Sequence, residues 1–463
     1  MNVNLEKAIS LAKTAQITKG RLIAADRDIV TITTDSRNVE KGAMFIAIKG
    51  PKFDGHDYIS AAYEAGAAAV LAEHVDEGAI PLDCGAVTVD DTIKALGVLA
   101  KYKKEEVSPF TVAVTGSTGK TTTKEFIYAV LAESAHTHKT EGNFNNEIGM
   151  PLTMLRIGDD CRYLVLEMGM SMRGEIEYLS RLACPDMAVI TNIGDSHIES
   201  LGSRENICQA KLEVRAGMKP GAKLILNGDE SLLRGIEGGI YVSLHDKNSD
   251  YYISETADHG SCTTFAVTHA GVTERDITIP VIGEHNVFDA ALAYAVGIEA
   301  GLSADTVRAG LLNFKNTGMR QNIYTSGDHT VIEDCYNAAP LSMRASLSVL
   351  DMIARREGGR SIAVLGDMRE LGDFSRSLHE EVGAYAAELG IDRLYTFGDD
   401  AAFIALGAKK AGMQSENIFV FRDLEGVSAL AQALRDDVRA SDAVLFKASR
   451  AVRLERVIEA FKE

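Results

Sequence analysis

The sequence predicts an α/β protein of three domains: a small N-terminal α/β domain, a central domain with a P-loop-type, doubly wound and mostly parallel sheet, and a C-terminal Rossmann-like domain. Three observations carry this expectation. The chain has 463 residues, enough for about three domains of ordinary size. From residue 90 onward short apolar runs alternate with helical patterns, as parallel strands covered by crossover helices require. Within that stretch, Val112-Ala113-Val114-Thr115 runs into Gly116-Ser117-Thr118-Gly119-Lys120-Thr121-Thr122 and then into a helical pattern over 124–131.

The elements follow in order. In residues 1–89, β-like runs at 30–34, 43–48 and 86–89 surround an Ala-rich helix at 59–65. The block 90–317 opens with a helix at 95–104 and the Gly-rich turn. Buried-strand runs follow at 163–166 and 187–191. Alternating runs such as 250–254 and 262–267 predict an antiparallel addition over 222–282, and a helix at 287–301 closes the block. The block 318–463 repeats strand and helix, with strands at 361–365, 393–397, 417–421 and 443–446. It lacks the G-x-G-x-x-G fingerprint, so dinucleotide binding is not expected there.

Composition narrows the class. Hydrophobic content of 46% and charged content of 25% are those of a globular protein. A net charge of −18 without a basic stretch argues against a general nucleic-acid or membrane-surface binder. The six cysteines are dispersed, with no C-x-x-C pair, which reads as reduced thiols in a cytoplasm. The N-terminal segment has no apolar signal region and no stretch approaches a membrane span. A soluble cytoplasmic protein is the reading that fits these facts, and a monomer is expected.

The Gly-rich turn carries the chemistry. Its glycines let backbone N–H groups approach phosphate oxygens, and the helix N-terminus adds partial positive charge. Lys120 can reach terminal phosphates and Thr121 can ligate Mg²⁺. The strict P-loop has Gly where Val114 stands, so this is a shortened G-x-x-G-K-T loop. Two further apolar runs end in polar residues, at Glu167-Met168-Gly169 and at Asn192-Ile193-Gly194-Asp195-Ser196-His197. Ligands of open α/β sheets sit at the carboxyl ends of strands. If these strands are neighbours, Thr121, Glu167 and His197 converge on one crevice. Oxygen ligands suit Mg²⁺, whereas imidazole suits other divalent metals better. Asn143, Asn145 and Asn146 form an amide-rich segment that is either a polar subsite or a turn before a helix. Asn286 is either a ligand contact or an N-cap. Arg320 follows the boundary between the last two domains, and Lys211 has the spacing of a surface lysine.

Taken together, the motifs resemble those of the Mur ligases of peptidoglycan synthesis over essentially the whole chain. They include Thr34-Asp35-Ser36-Arg37, Asp54-Gly55-His56, the phosphate loop, Gly142-Asn143-x-Asn145-Asn146 and Glu167-Met168-Gly169. Arg173-Gly174-Glu175-Ile176, His285-Asn286, Asp334-x-Tyr336-Asn337-x-x-Pro340, Gly366-Asp367-Met368-x-Glu370-Leu371-Gly372 and Lys447-x-Ser449-Arg450 complete the set. The resemblance is greatest to members that join D-alanyl-D-alanine to UDP-N-acetylmuramoyl-tripeptide with ATP, through an acyl phosphate. It implies that Thr121 and Glu167 hold one Mg²⁺, and that His197 and a CO₂-carbamylated Lys211 hold a second. Residues Gly116, Ser117, Thr118, Gly119, Lys120, Thr121 and Thr122 would grip ATP, with Asn286 on the adenine side, Arg320 on the phosphates and Asp334 on the ribose. Thr34, Asp35, Ser36, Arg37 and His56 would lie near the UDP group. Asn143, Asn145, Asn146 and Arg173 would meet the sugar–peptide arm. Lys120, Glu167, His197 and Lys211 are the expected catalytic set. Against the family pattern, Glu333 and Asp289 stand where Asp and Asn are usual, and Ala339 and Ala448 where Asn and Gly are usual.

Rival readings lack their signatures. The ligase that adds lysine or diaminopimelate carries Asp-Asn-Pro-Arg, where this chain has Asn337-Ala338-Ala339-Pro340. Folylpolyglutamate synthetase shares the phosphate loop and is not expected to carry the Thr-Asp-Ser-Arg domain. A guanine-nucleotide switch would carry Asn-Lys-x-Asp, which is missing.

Overall fold

A computed structural model describes residues 2–422 and 426–462, so Met1 and Glu463, the outer ends of the first and last expected domains, lie outside the described residues. Three sheets organise it. The first has six strands in the order Asn2–Ser10, Asp28–Thr33, Met44–Ile46, Ala69–Ala72, Gly85–Thr88 and Arg21–Ala24. Its four inner strands are parallel and its two edges antiparallel. The sequence pattern marks three inner strands and misses both edges. An edge strand such as Asn2–Ser10 is half exposed and carries few apolar residues, so its alternation is faint.

The central sheet has nine strands. Their order is Val272–Ile279, Thr263–His269, Tyr251–Asp258, Gly239–Ser243, Lys223–Asn227, Met187–Ile190, Phe110–Thr115, Tyr163–Glu167 and Thr137–Lys139. Lys223–Asn227 and Gly239–Ser243 pair parallel to their neighbours, and only the last three strands in sequence form an antiparallel meander. The expected antiparallel addition over 222–282 is therefore corrected to its second half. The crossover between these two parallel strands holds only the short turn Ser231–Leu233, and no α-helix announces it.

Met187–Ile190, Phe110–Thr115 and Tyr163–Glu167 are adjacent and parallel, with Val114 opposite both Val189 and Glu167. Their carboxyl ends therefore open on one edge. The helix Lys120–Ala132 that follows the Gly-rich turn packs against the long apolar helix Glu284–Glu299. The latter begins at Glu284, three residues before its expected start. Asn286 consequently sits in the first turn, with Gly283 at φ 104° as the cap, and the N-cap reading of Asn286 is corrected.

The third sheet runs Asn322–Ser326, His329–Glu333, Ala443–Lys447, Ser361–Gly366, Arg393–Phe397 and Ile418–Phe421, parallel except for its first strand. The four expected strands are present, and the polar hairpin at its edge is an addition. One apolar cluster passes from Val3 and Ile32 through Ile193 and Leu201 to Leu365 and Leu371, tying all three sheets together. No helix among the described residues is long and apolar enough to cross a membrane.

Candidate active site

The Gly-rich turn is fixed from the neighbouring strand end. Asn192 accepts from the Thr118 amide at 2.9 Å and donates to the Thr118 hydroxyl at 2.7 Å, while its carbonyl accepts from the Ser117 amide at 3.1 Å. Gly116 has φ 151°, and a Cβ there would stand 1.9 Å from the Thr191 hydroxyl. Only glycine allows that approach. The Lys120 ammonium lies back over the loop, donating to the Gly116 carbonyl at 2.8 Å and the Ser117 carbonyl at 3.3 Å. Burial lowers its pKa, and Glu167 opposes that shift.

Glu167 is 3% exposed, at the end of its strand. Thr121 donates to its Oε2 at 2.9 Å, and Asn145 donates to its Oε1 at 2.8 Å. The Lys124 ammonium is 3.8 Å from Oε2 and donates to the Thr140 carbonyl at 2.7 Å. Gly169 makes room for Asn145, whose side chain would meet a Cβ there at 2.9 Å. The amide-rich segment thus divides: Asn145 serves the carboxylate, while Asn146 accepts from the Ile148 and Gly149 amides and starts the helix Gly149–Leu155.

His197 (φ 65°) and Glu370 (φ 64°) both hold left-handed backbone, and they meet across the cleft with Nδ1 to Oε2 at 2.5 Å. The hydrogen bond from His197 holds the Glu370 carboxyl below its ordinary range, against burial. Lys211, read from spacing as a surface lysine, is 1% exposed. Burial first and the charge of Lys120 second push its pKa well below the ordinary value. It lies under the site and does not line the cleft.

The opposite wall comes from the last domain. Asp334 accepts from the Lys447 ammonium at 2.6 Å, the Ser346 hydroxyl at 2.6 Å and the Gln321 amide at 3.3 Å. Arg320 stacks 4.3 Å over the Tyr336 ring. Gln321 accepts from Asn286 at 2.8 Å, and both donate to the Ile282 carbonyl at 2.8 Å. Gln321, Glu370 and Lys447 also line the cleft, and no role attaches to them from sequence. Glu370 and Lys447 lie in quoted motifs, which is the one signal that could have raised them.

Between the walls is a cavity of about 1250 Å³, above the roughly 300–1,000 Å³ of ordinary small-molecule sites and so with room for a nucleotide and a second reactant. It brings together Ser117 through Thr122, Asn143, Asn145, Asn146, Glu167, Arg173, His197, Asn286, Arg320 and Asp334. It does not bring in the N-terminal set. Asp35 is bound to Arg37 at 2.8 Å, which holds its carboxyl at about 2. His56 accepts from the Glu73 amide through Nε2 at 2.9 Å, so its Nδ1 donates to Asp54, and its ring stacks on His74 at 4.4 Å. Thr34 and Ser36 flank Asp35 in the same surface turn.

Nine Asp or Glu side chains and only four Lys or Arg residues line the cavity. A polyanion entering such a site needs cations. Among the described residues no three His, Cys, Asp or Glu side chains form a preformed metal cage. The hydroxyl–carboxylate pair Thr121–Glu167 beside the phosphate loop fits Mg²⁺, which takes one or two protein oxygens together with phosphates and water.

Comparison with known proteins agrees with this geometry. UDP-N-acetylmuramoyl-tripeptide–D-alanyl-D-alanine ligase of Bacillus subtilis is 41% identical over 456 residues, covering 96% of each chain. The fold is similar to MurF of Acinetobacter baumannii, with a TM-score of 0.89 at 29% identity over 99% of this chain and 100% of that one. It is also similar to the MurF ligase of Thermotoga maritima in complex with ADP, with a TM-score of 0.82 at 31% identity over 93% and 96%. Models of the Mur ligase family catalytic domain, the Mur ligase middle domain and the Mur ligase, glutamate ligase domain match residues 28–104, 114–297 and 319–450. The chain belongs to the Mur ligase family.

Proposed function

We propose that this chain joins D-alanyl-D-alanine to UDP-N-acetylmuramoyl-tripeptide at the expense of ATP, in peptidoglycan precursor synthesis. The observation that carries the reading is the cleft with the phosphate loop on one wall and Arg320, Asp334 and Lys447 on the other. The similarity to the Bacillus subtilis ligase supports the choice of substrates. In this reading residues 1–89 bind the UDP end, 90–317 bind ATP, and 318–463 receive the dipeptide. The enzyme acts as a cytoplasmic monomer, and its six free cysteines suit a reducing compartment.

A tripeptide carboxylate oxygen attacks the γ-phosphorus of ATP, the bond from that phosphorus to ADP breaks, and an acyl phosphate forms. The dipeptide amine then attacks the acyl carbon, and phosphate leaves. The first step brings two anions together. Lys120 and the amides of Gly116 to Thr122 hold the phosphates, Arg320 adds charge from the far wall, and Asn145 keeps the Glu167 carboxylate oriented. Bound Mg²⁺ would neutralise phosphate charge, with Thr121 and Glu167 holding one ion and His197 and Lys211 a second. Lys211 fits carbamylation, because a buried lysine with a depressed pKa is neutral enough for its amine to add to CO₂, releasing one proton and leaving an anionic oxygen ligand. Asn143 and Arg173, at the outer lip, suit the sugar–peptide arm. The N-terminal surface turn Thr34 to Arg37, with His56, suits the UDP end of so long a substrate.

The test is phosphate release from ATP with the tripeptide substrate and D-alanyl-D-alanine, against lysine or diaminopimelate with the dipeptide-stage substrate. Release only in the first arm, with a pentapeptide product by mass, is expected. Release only in the second would replace the assignment. Tripeptides ending in lysine and in diaminopimelate, compared in the first arm, define the preferred third residue.

A further inference from the structure

One carboxyl in the cleft has no role in the scheme above. Asp289, in the helix Glu284–Glu299, is 6% exposed. It lies against the bare face of Gly119, where a Cβ would meet its two oxygens at 2.7 and 3.1 Å. The Thr123 hydroxyl donates to Oδ1 at 3.0 Å, which leaves Oδ2 to carry any proton. The positive charge of Arg320 acts on it without forming an ion pair. The three charged groups of the neighbouring helix are engaged elsewhere: Lys120 with loop carbonyls, Lys124 with Thr140, Glu125 and Glu167, and Glu125 also with Lys139. The strands beneath the helix meet it with apolar side chains such as Val189, Ile225 and Val242. On its own helix, His285 is bound to Gln321, and Glu284 lines the cavity five residues before Asp289.

A buried carboxyl with no ion-pair partner is held neutral by desolvation. Burial pushes Asp289 up to about 8, with Thr123 and Arg320 opposing. A bound triphosphate adds negative charge at this wall and draws on Arg320, so it favours the neutral form further.

We propose that Asp289 works as a neutral acid in the nucleotide site, donating a hydrogen bond from Oδ2 toward the bound nucleotide, and that its ionisation weakens nucleotide binding. This rests on the reading that the cleft takes ATP. Binding then takes up a proton wherever Asp289 is ionised in the free protein, so affinity falls as pH rises through the alkaline range. Asp289→Asn has the same shape and holds the neutral, donor-bearing form at every pH.

The experiment is calorimetric titration of the full-length protein with ADP and with a non-hydrolysable ATP analogue, in Mg²⁺, from pH 7 to pH 9.5. Each pH is measured in two buffers of different ionisation enthalpy. The wild type should weaken by about tenfold or more over that range and take up a proton near pH 8.5, whereas Asp289→Asn should change by less than about threefold and take up none. Equal alkaline loss in both proteins, or no proton uptake by the wild type, overturns the proposal. The wild-type proton count decides the matter even if the variant fails to fold. Absence of nucleotide binding at pH 7 would instead overturn the ATP reading on which the proposal stands.

Discussion

The two walls of the cleft are built in different ways. The phosphate-loop wall is local: Gly116 to Thr122 span one turn and the start of the helix that follows it, and of their partners Glu167 ends one flanking strand and Asn192 lies two residues beyond the other. The facing wall is assembled from distant segments, with Asp334 held by Lys447 more than a hundred residues later and Glu370 reaching His197 across the domain boundary. The first wall is a compact cradle held by neighbouring strand ends, and its proposed ligand is phosphate. The second is a set of charge pairs whose members depend on one another.

The sharpest way to break this contrast is at the cradle. Lys120→Ala and Glu167→Ala should each lower ligation by on the order of 10²–10³ or more, with the far-UV spectrum and melting transition of a folded protein. Near-normal phosphate release from either would remove the site assignment. On the opposite wall Lys447→Ala should act first on stability. It leaves Asp334 under-compensated between side chains that are 3% and 15% exposed, a loss of about 3–5 kcal/mol. Asp334→Asn in the same background should recover part of the melting temperature, and failure to recover any would show that the two do not act as a pair.

Glu370→Gln tests the bridge between the walls. The pair is partly exposed, so turnover should fall by less than about tenfold. Its sign in pH is defined: the Glu370 carboxyl is depressed, so the contact is present above its ordinary value of 4.5 and is lost as pH falls through the lowered one. Small-angle scattering that expands on acidification in the wild type, and not in the variant, would be the signature. The smallest expected effect is at the N-terminal turn. Arg37→Ala should raise KM for the UDP-linked substrate while KM for ATP stays the same, and a parallel change in both would merge two surfaces that are separate in the structure.

What the sequence makes legible follows the same division. Phe110–Thr115, Tyr163–Glu167 and Met187–Ile190 are continuous apolar runs because they are buried on both faces, and their polar terminal residues point to the crevice. Lys211 is not legible from spacing, since its burial depends on the helix Arg204–Leu212 being covered by other segments. The pairings of Gln321 with Asn286 and of Lys447 with Asp334 are likewise hidden until tertiary folding sets them side by side. The parallel pairing of Lys223–Asn227 with Gly239–Ser243 was hidden by a crossover without a helix.

The excess of acid in the cavity has a consequence for timing. Walls that bear nine Asp and Glu side chains, of which Asp289 is held neutral, against four Lys or Arg residues repel one another when nothing lies between them. Neither a lone polyanion nor cations alone cancel that field well, whereas a nucleotide arriving with its counter-ions does. The cleft therefore favours fuel and counter-charge that arrive together over either one alone.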